Sequence, residues 1–213
     1  MSNPFFSVIM PSYLGKYKHA AANREHKLVR AINSVLEQED FELILIADDC
    51  QDTIDIVKEN FGGNKDIRMF RAPHREIRGK RNAGAAGIPR NAGLQQASGE
   101  YAIYLDIDDT YRKGYLKDMK EAMNDHDWYW MDDFSFNTTT EKFDLHLCDI
   151  GVQGACGTSN VCHKLEMNAW WSPAVHYLHD WMFINTLRAI TDNYKKLDVV
   201  GYQVCHVPNL LDV

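Results

Sequence analysis

Short, mostly apolar runs alternate with amphipathic stretches along the first half of the chain. The runs that predict buried strands cover 5–10, 41–47, 67–70 and 101–105. Between the first two, Leu28, Ala31, Ile32, Val35 and Leu36 have the spacing of one helical face. Further helices are predicted at 53–60 and 89–99. Strands that alternate with helices predict a parallel sheet with helices on both of its faces.

The pattern in the second half is less regular. It predicts a helix within 114–124, a strand over 128–136 paired as a hairpin with 142–147, a Gly-rich loop over 151–160 that turns helical through 167, a helix over 176–187 and a last strand over 199–207. The predicted fold class is therefore α/β, with a Rossmann-like, mostly parallel central sheet flanked by helices and mixed at one edge.

Composition and charge narrow the functional class. The 213 residues are 45% hydrophobic, which suits one sizeable domain. The net charge of −7 is a poor match to a nucleic-acid-binding protein, so no nucleic-acid partner is expected. Basic residues concentrate only between Lys65 and Arg90, and this local cluster suits a small ligand that carries phosphate.

The amino terminus and the cysteines indicate a compartment. The first residues have no basic segment followed by a long apolar run, so neither a signal peptide nor a transmembrane segment is expected. Five cysteines without a CxxC pair favour reduced thiols and a cytoplasmic location. A zinc site built from Cys148, Cys156, Cys162 and His163 is disfavoured, because their spacing is unusual for zinc.

Carboxylates follow two of the predicted strands, where ligands bind in open α/β sheets. Asp106 and Asp108 leave the strand over 101–105 on the same side of an extended backbone, with Ile107 pointing the other way. Two converging carboxylates repel each other, and Mg²⁺ or Mn²⁺ would relieve that repulsion. A solvated acidic turn is the alternative. Asp48 and Asp49 follow the strand over 41–47.

Four segments carry a family resemblance. They are SVIMPSY at 7–13, ADD at 47–49, PRNAGLQQASGEYAIYLDIDD at 89–109 and HD at 179–180. In this order they resemble family 2 glycosyltransferases of the GT-A fold over most of the chain. Within the family, the chain also looks like the amino-terminal glycosyltransferase domain of a chlorella-virus protein that helps build capsid glycans, which would imply the cytoplasm of an infected host cell.

The resemblance implies a role for each matching position. Pro11, Ser12 and Tyr13 would line the nucleoside pocket, with Tyr13 stacking on the base. Asp49, less readily Asp48, would accept a hydrogen bond from a uracil ring. The diphosphate would meet Arg78, Lys80, Arg81 or Arg90. Asp106 with Ile107 would hold the ribose, while Asp108, together with Asp109 and His206, would bind Mn²⁺ or Mg²⁺.

The family chemistry implies a UDP-sugar donor and transfer of a hexose or deoxyhexose to a glycan or glycoprotein hydroxyl. Asp180 matches the base of the inverting mechanism, and a helix N-cap, for which Asp is well suited, is the alternative. His179 stands where the family usually has an acidic residue, which leaves the stereochemical outcome open. Residues 1–110 would form the nucleotide-binding half and 111–213 the acceptor half of one domain, which would be consistent with excision from a longer protein.

Two other functions fit parts of the sequence. LDIDDT at 105–110 also matches the DxDxT motif of haloacid-dehalogenase-type phosphatases, in which Asp106 would be the nucleophile and Asp108 the acid and base. Those enzymes carry the motif on their first strand, whereas three predicted strands precede it here. A sugar-nucleotide-binding module without catalysis is the other alternative.

Overall fold

A computed structural model describes residues 3–15, 23–72, 86–173 and 178–205. Its strands are β1 (Phe6–Ser12), β2 (Phe41–Asp48), β3 (Ile67–Ala72), β4 (Tyr101–Tyr104), β5 (Thr110–Tyr111), β6 (Trp128–Trp130), β7 (Asp133–Asn137), β8 (Lys142–His146), β9 (Val161–Lys164), β10 (Tyr194–Lys196) and β11 (Tyr202–Val204). Its helices are α1 (Arg24–Leu36), α2 (Gln51–Phe61), α3 (Gly87–Leu94), α4 (Tyr115–Ala122) and α5 (His179–Ile190).

The strands form two sheets. The larger has the order β10-β6-β9-β4-β1-β2-β3, and β4, β1, β2 and β3 are parallel neighbours in it. β9 runs antiparallel to both β4 and β6, and β10 is parallel to β6. The smaller sheet has the order β5-β11-β7-β8. The predicted fold class, a mostly parallel sheet flanked by helices and mixed towards one edge, is confirmed.

Alternate residues of the central strands pack on opposite faces of the large sheet. Val8 and Met10 of β1 join Leu28 and Ile32 of α1 in one apolar cluster. Ile9, between them, belongs to a second cluster that contains Trp171 and other aromatic side chains. Because helices or loops cover both faces, every residue of β1 is buried, as expected for a strand inside a parallel sheet.

The helix α3 lies unusually close to the sheet. A Cβ atom added at Gly93 would come within 2.5 Å of the Ile9 side chain.

Side-chain contacts of Glu42 link the amino-terminal ends of the parallel strands. Glu42 accepts hydrogen bonds from the Ser7 hydroxyl at 2.7 Å and from the Ser98 amide at 2.6 Å, and it pairs with Arg68. Glu42 of β2 is therefore linked by its side chain to β1 through Ser7 and to β3 through Arg68.

Three predictions for the second half are wrong. The predicted strand over 128–136 is two strands in different sheets, since the chain turns at Met131, whose amide donates to the Asn160 carbonyl. The predicted helix over 160–167 is β9 followed by a short 3₁₀ turn, because this segment pairs with β4 and β6. In the described part of 199–207, only Tyr202–Val204 is a strand.

All five cysteines are buried and none forms a disulfide. No helix in the described ranges combines the length and the apolar composition that crossing a membrane needs.

Candidate active site

A cavity of about 530 Å³ opens at the carboxyl ends of β1, β2 and β4. This is the edge where ligands bind in open α/β sheets. The sequence-predicted residues that line it are Pro11, Ser12, Tyr13, Arg90, Asp106, Ile107, Asp108, Asp109, His179 and Asp180. The fold thus brings together residues that are far apart in the chain. Arg78, Lys80, Arg81 and His206 lie outside the described residues.

The two aspartates after β2 point in different directions. Asp48 is buried and lines the cavity. Asp49, the one favoured by the family resemblance, is not among the lining residues and pairs with Arg71 at 2.6 Å. Its φ of 46° places it in the left-handed region, so the chain turns there and the two side chains diverge. Asp48 is therefore the carboxylate that a ligand in the cavity would meet.

Arg90 is the buried cation of the cavity wall. Its side chain is only 2% exposed, and its Nη2 lies 2.8 Å from Asp106 Oδ1. The guanidinium carbon lies 4.7 Å from the centre of the Trp171 ring. Within the described part of the chain, its Nε and Nη1 atoms have no hydrogen-bond partner. A buried cation with unused donors at a cavity is suited to bind an anion such as a phosphate.

The neighbour of Arg90 on α3 fixes the aromatic ring against it. The Asn91 side chain donates to the Trp171 carbonyl at 2.9 Å and accepts from the Trp171 amide at 2.8 Å. Trp171 stacks on Phe183, with ring centres 3.9 Å apart, so it is a core residue. Trp170, by contrast, is 40% exposed and does not line the cavity. The guanidinium of Arg90 is thus held by a rigid aromatic wall.

The three aspartates after β4 have different surroundings. Asp106 pairs with Arg90, whereas Asp108 is half-buried and its carbonyl accepts a hydrogen bond from Arg30 at 2.9 Å. Asp109 is buried; its side chain accepts from the Cys205 amide at 2.7 Å and from the Tyr202 hydroxyl. Burial, together with the charges of Asp108 and Asp106, holds the pKa of Asp109 well above its usual range.

This arrangement suits a divalent cation on Asp108. Its carboxylate and that of Asp106 lie near enough to raise the pKa of Asp109, so negative charge accumulates here. A hard cation with oxygen ligands relieves such repulsion, and it typically needs only one or two carboxylates besides phosphate oxygens. The Asp109 side chain already accepts a hydrogen bond from the Tyr202 hydroxyl of β11, which holds β11 against this loop. Asp109 is therefore the weaker candidate for a metal ligand.

Asp180 lies on another wall of the cavity, in the first turn of α5. The Thr158 hydroxyl donates a hydrogen bond to its carboxylate, and His179 Nδ1 lies 2.7 Å from its Oδ1. Burial raises the pKa of Asp180, but the His179 ring, the charge of Arg90 and the Thr158 hydroxyl outweigh burial and lower it. The N-cap residue of α5 is Leu178, so Asp180 does not occupy the N-cap position. An ionised carboxylate therefore faces the cavity.

Comparison with known proteins places the chain in a family. A family profile described as Glycosyl transferase family 2 matches residues 7–201. The chain belongs to glycosyl transferase family 2. The matched range includes the cavity residues discussed above from Pro11 to Asp180.

Curated relatives of this family 2 chain come from bacteria. It is 35% identical over 120 residues to a protein of Staphylococcus aureus (strain N315) named poly(ribitol-phosphate) beta-N-acetylglucosaminyltransferase TarP, covering 53% of this chain and 31% of the relative. It is 31% identical over 127 residues to TarS of S. aureus (strain Mu50), covering 57% of this chain and 19% of the relative. The chain thus matches less than a third of the length of either relative.

Solved structures show the same fold. The crystal structure of S. aureus TarS 1–349 superposes with a TM-score of 0.71, at 19% identity, over 93% of this chain and 60% of that one. The structure titled as TarS 1–349 in complex with UDP-GlcNAc gives a TM-score of 0.70, at 19% identity, over 93% of this chain and 58% of that one. At this identity, the likeness establishes the fold of the family 2 chain.

Sequence reasoning missed several residues of the cavity wall. Arg24 lines it and donates to the Gly15 carbonyl at 2.8 Å and to the Tyr13 carbonyl, which fixes the segment after β1. Asp133 and His146 also line it, from β7 and β8. The sequence signal for these two was a predicted hairpin, which gives no register. Only the pairing of β7 with β8 in the folded protein shows that these two side chains reach the cavity.

Proposed function

We propose that this chain is a metal-dependent, hexosyltransferase-like glycosyltransferase that moves a hexose or deoxyhexose from a UDP-sugar to a hydroxyl of a glycan or glycoprotein. The observation that carries the proposal is the buried guanidinium of Arg90, whose Nε and Nη1 have no partner among the described residues. It lies in one cavity with the carboxylates of Asp106, Asp108 and Asp180. The names of the relatives TarP and TarS, and the TarS complexes with UDP and UDP-GlcNAc, support the same chemistry.

The nucleoside would bind between β1 and β2. Tyr13 would stack on the uracil, and Pro11 and Ser12 would form the floor. Ser12 is suited to this because its hydroxyl already shares a hydrogen bond with Thr53 at 2.9 Å, which fixes the end of β1 against α2. Asp48, rather than Asp49, would accept the hydrogen bond of the uracil N–H, since only Asp48 lines the cavity. The volume of about 530 Å³ suits a ligand of this size.

The diphosphate would lie between Arg90 and Asp108. Arg90 would donate its unused N–H groups to phosphate oxygens, and Asp106 would turn from Arg90 towards the ribose. Mn²⁺ or Mg²⁺ held by Asp108 would supply charge neutralisation for the departing diphosphate. Arg78, Lys80, Arg81 and His206, which lie outside the described residues, stay predicted contributors to the same region.

Asp180 would act as the base. In the transfer, the bond from the anomeric carbon to the diphosphate oxygen breaks, the acceptor oxygen bonds to that carbon, and Asp180 takes the hydroxyl proton. Its lowered pKa keeps it ionised and ready to accept a proton at neutral pH. His179 and Thr158 would orient the carboxylate. Base catalysis of this kind typically contributes roughly 10²–10⁴ in rate.

Thermal unfolding and product assays test the proposal. We expect UDP with Mn²⁺ to raise the melting temperature, and chelation of Mn²⁺ to remove most of that rise. A panel of UDP-sugars should then show which donor releases UDP in the presence of an acceptor. UDP binding without any turnover, unaffected by Asp180→Asn, would favour a binding module. Phosphate release from a phosphomonoester, lost in Asp106→Asn, would favour the phosphatase, which the family match already disfavours.

The wider setting is a proposal as well. The division into a nucleotide-binding half at 1–110 and an acceptor half at 111–213, the cytoplasmic location and the relationship to a viral capsid-glycan protein all stay predictions.

A further inference from the structure

The hairpin of β7 and β8 brings three metal-ligating side chains to one point. Asp133 and His146 are direct cross-strand partners at its open end. Cys148 follows His146 by two residues, so it leaves the strand on the same side. His146 Nδ1 lies 3.2 Å from Asp133 Oδ2, and Cys148 Sγ lies 3.7 Å from Asp133 Oδ2 and 3.8 Å from His146 Nδ1. All three donor atoms therefore lie within reach of a single ion.

These separations match one face of a tetrahedral zinc site. With ligand bonds of about 2.0 Å for nitrogen or oxygen and about 2.3 Å for sulfur, tetrahedral geometry separates a nitrogen from an oxygen by roughly 3.3 Å, and a sulfur from either by roughly 3.5 Å. The observed distances differ from these by a few tenths of an ångström. A thiolate, an imidazole and a carboxylate together select zinc-class ions over Mg²⁺.

We infer that Asp133, His146 and Cys148 form a three-ligand site for a zinc-class divalent cation, separate from the proposed cation on Asp108. Asp133 and His146 both line the large cavity, so the fourth position of the ion would be open to water or to a ligand in that cavity. The inference rests on the donor set and its geometry, and it does not depend on the proposed transferase activity.

Neighbouring groups hold the ligands in this arrangement. Asn160 donates to Asp133 Oδ2 at 2.9 Å, and Ser135 donates to Asp133 Oδ1 at 3.1 Å. The amide of Cys148 donates to Asp132 at 2.7 Å, which fixes the chain beside the thiol. Outer contacts of this kind orient the ligands in protein metal sites. Asp133 is 4% exposed and Cys148 is buried, so both are largely shielded from solvent.

Cobalt titration of the full chain tests the site. The protein is stripped with a chelator, kept reduced and titrated with Co²⁺, whose bond to a thiolate gives a charge-transfer band in the near ultraviolet. We expect one equivalent of Co²⁺ to produce this band, and Zn²⁺, but not an excess of Mg²⁺, to remove it. Absence of the band in the reduced protein overturns the inference.

Variants identify the ligands. Cys148→Ser should lose the band, and His146→Ala should weaken Co²⁺ binding at least as much as the roughly 10- to 100-fold that loss of an outer-shell contact costs. The second variant should keep its fold, because the His146 side chain is 45% exposed. Cys162→Ala, at a buried cysteine in the apolar core, is the matched control and should keep the band. Survival of the band in Cys148→Ser, or its loss in the control, refutes the assignment.

A last variant separates this site from the proposed active site. Asp108→Asn should abolish the Mn²⁺-dependent effect of UDP while leaving the cobalt band unchanged. If UDP has no effect even on the unsubstituted protein, the proposed function fails and the cobalt result stands by itself. Loss of the band in Asp108→Asn would mean that the ion binds at Asp108 instead, which refutes the inference.

Discussion

Replacing Arg90 by Met should separate nucleotide binding from folding. The change keeps much of the length of the side chain but removes the guanidinium that pairs with Asp106 and packs on Trp171. It also removes two buried N–H donors that have no partner among the described residues. In the protein without ligand, these donors are a cost; with a diphosphate bound, they become hydrogen bonds. The two states should therefore respond very differently to the substitution.

The magnitudes follow from the contacts. Each charge-assisted hydrogen bond to a phosphate contributes about 1.5–3 kcal/mol, so two at the low end give about 3 kcal/mol, or a roughly 100-fold weaker Kd for UDP. For folding, the lost contacts contribute about 1 kcal/mol for a pair whose Asp106 is 39% exposed and up to about 2 kcal/mol for the aromatic contact. Removing two unsatisfied donors returns about 1–3 kcal/mol each. At the low end of that range the return is about 2 kcal/mol against about 3 kcal/mol lost, and this net loss of about 1 kcal/mol predicts a melting temperature within about 4 °C of the unsubstituted protein.

Isothermal titration with UDP and Mn²⁺, paired with thermal unfolding, measures both quantities. Arg68→Met is the matched control, because Arg68 also pairs with a carboxylate, Glu42, and lies 5.6 Å from the Phe70 ring, yet it is outside the cavity. Its UDP affinity should not change. Arg90→Lys should be intermediate, since lysine keeps the charge but not the fork or the stack. An unchanged Kd in Arg90→Met, with a sharply lower melting temperature, would show that Arg90 only supports the fold.

Three further predictions concern carboxylates. Asp180→Asn should lower turnover roughly 10²–10⁴-fold without changing the Kd for UDP. Because the pKa of Asp180 is lowered, Asp180 should add no acidic limb to the pH–rate profile of the parent between about pH 5 and 8. Equal turnover by the parent and by Asp180→Asn would disprove its role as the base. Asp108→Asn should abolish Mn²⁺-dependent UDP binding, whereas Asp109→Asn should keep it. Asp109→Asn should also unfold at a higher urea concentration than the parent at pH 8, because burial and like charges raise the pKa of Asp109 and its contribution to stability falls as the pH rises. If calorimetry shows that Asp109→Asn loses Mn²⁺-dependent UDP binding and Asp108→Asn keeps it, then Asp109 is the ligand. Burial raises the pKa of Glu42, but its hydrogen bonds lower that pKa overall, so the contribution of Glu42 to stability is present above about pH 4.3 and is lost as the pH falls through the lowered value. Glu42→Gln should therefore be less stable than the parent by about 1–3 kcal/mol at pH 7, and its stability should fall less on acidification. Urea unfolding at pH 7 and pH 3 would measure both differences.

The sequence was informative where local pattern alone determines the structure. The parallel strands β1, β2 and β4 are continuous apolar runs, and each was predicted to within two residues at either end. Their carboxyl ends meet at one edge in any such sheet, so the positions of Ser12, Asp48 and Asp106 at a shared cavity followed from topology. The presence of a cavity at that edge could therefore be predicted without knowing how the side chains pack.

The segment Val161–Lys164 shows why the second half was harder. This short strand lies in the middle of the large sheet, yet its sequence VCHK has no apolar pattern that marks a buried strand. Its His163 is buried because Nε2 shares a hydrogen bond with the Tyr104 hydroxyl at 2.8 Å. The partner is 59 residues away in the chain, and only the folded protein shows that a polar residue is satisfied there.

The carboxylates of the cavity make the same point about chemistry. Asp106, Asp109 and Asp180 are one residue type, and the sequence predicts that they lie near a common ligand but not how each ionises. Burial and the charges of Asp108 and Asp106 raise the pKa of Asp109 and outweigh the hydrogen bond from the Tyr202 hydroxyl, which lowers it. The His179 ring, the charge of Arg90 and the Thr158 hydroxyl outweigh burial and lower the pKa of Asp180. Groups whose surroundings push their pKa values apart can take different roles in one reaction. Because Tyr202 lies 93 residues from Asp109 and Thr158 lies 22 residues from Asp180, this division of roles is a property of the fold and not of the motif.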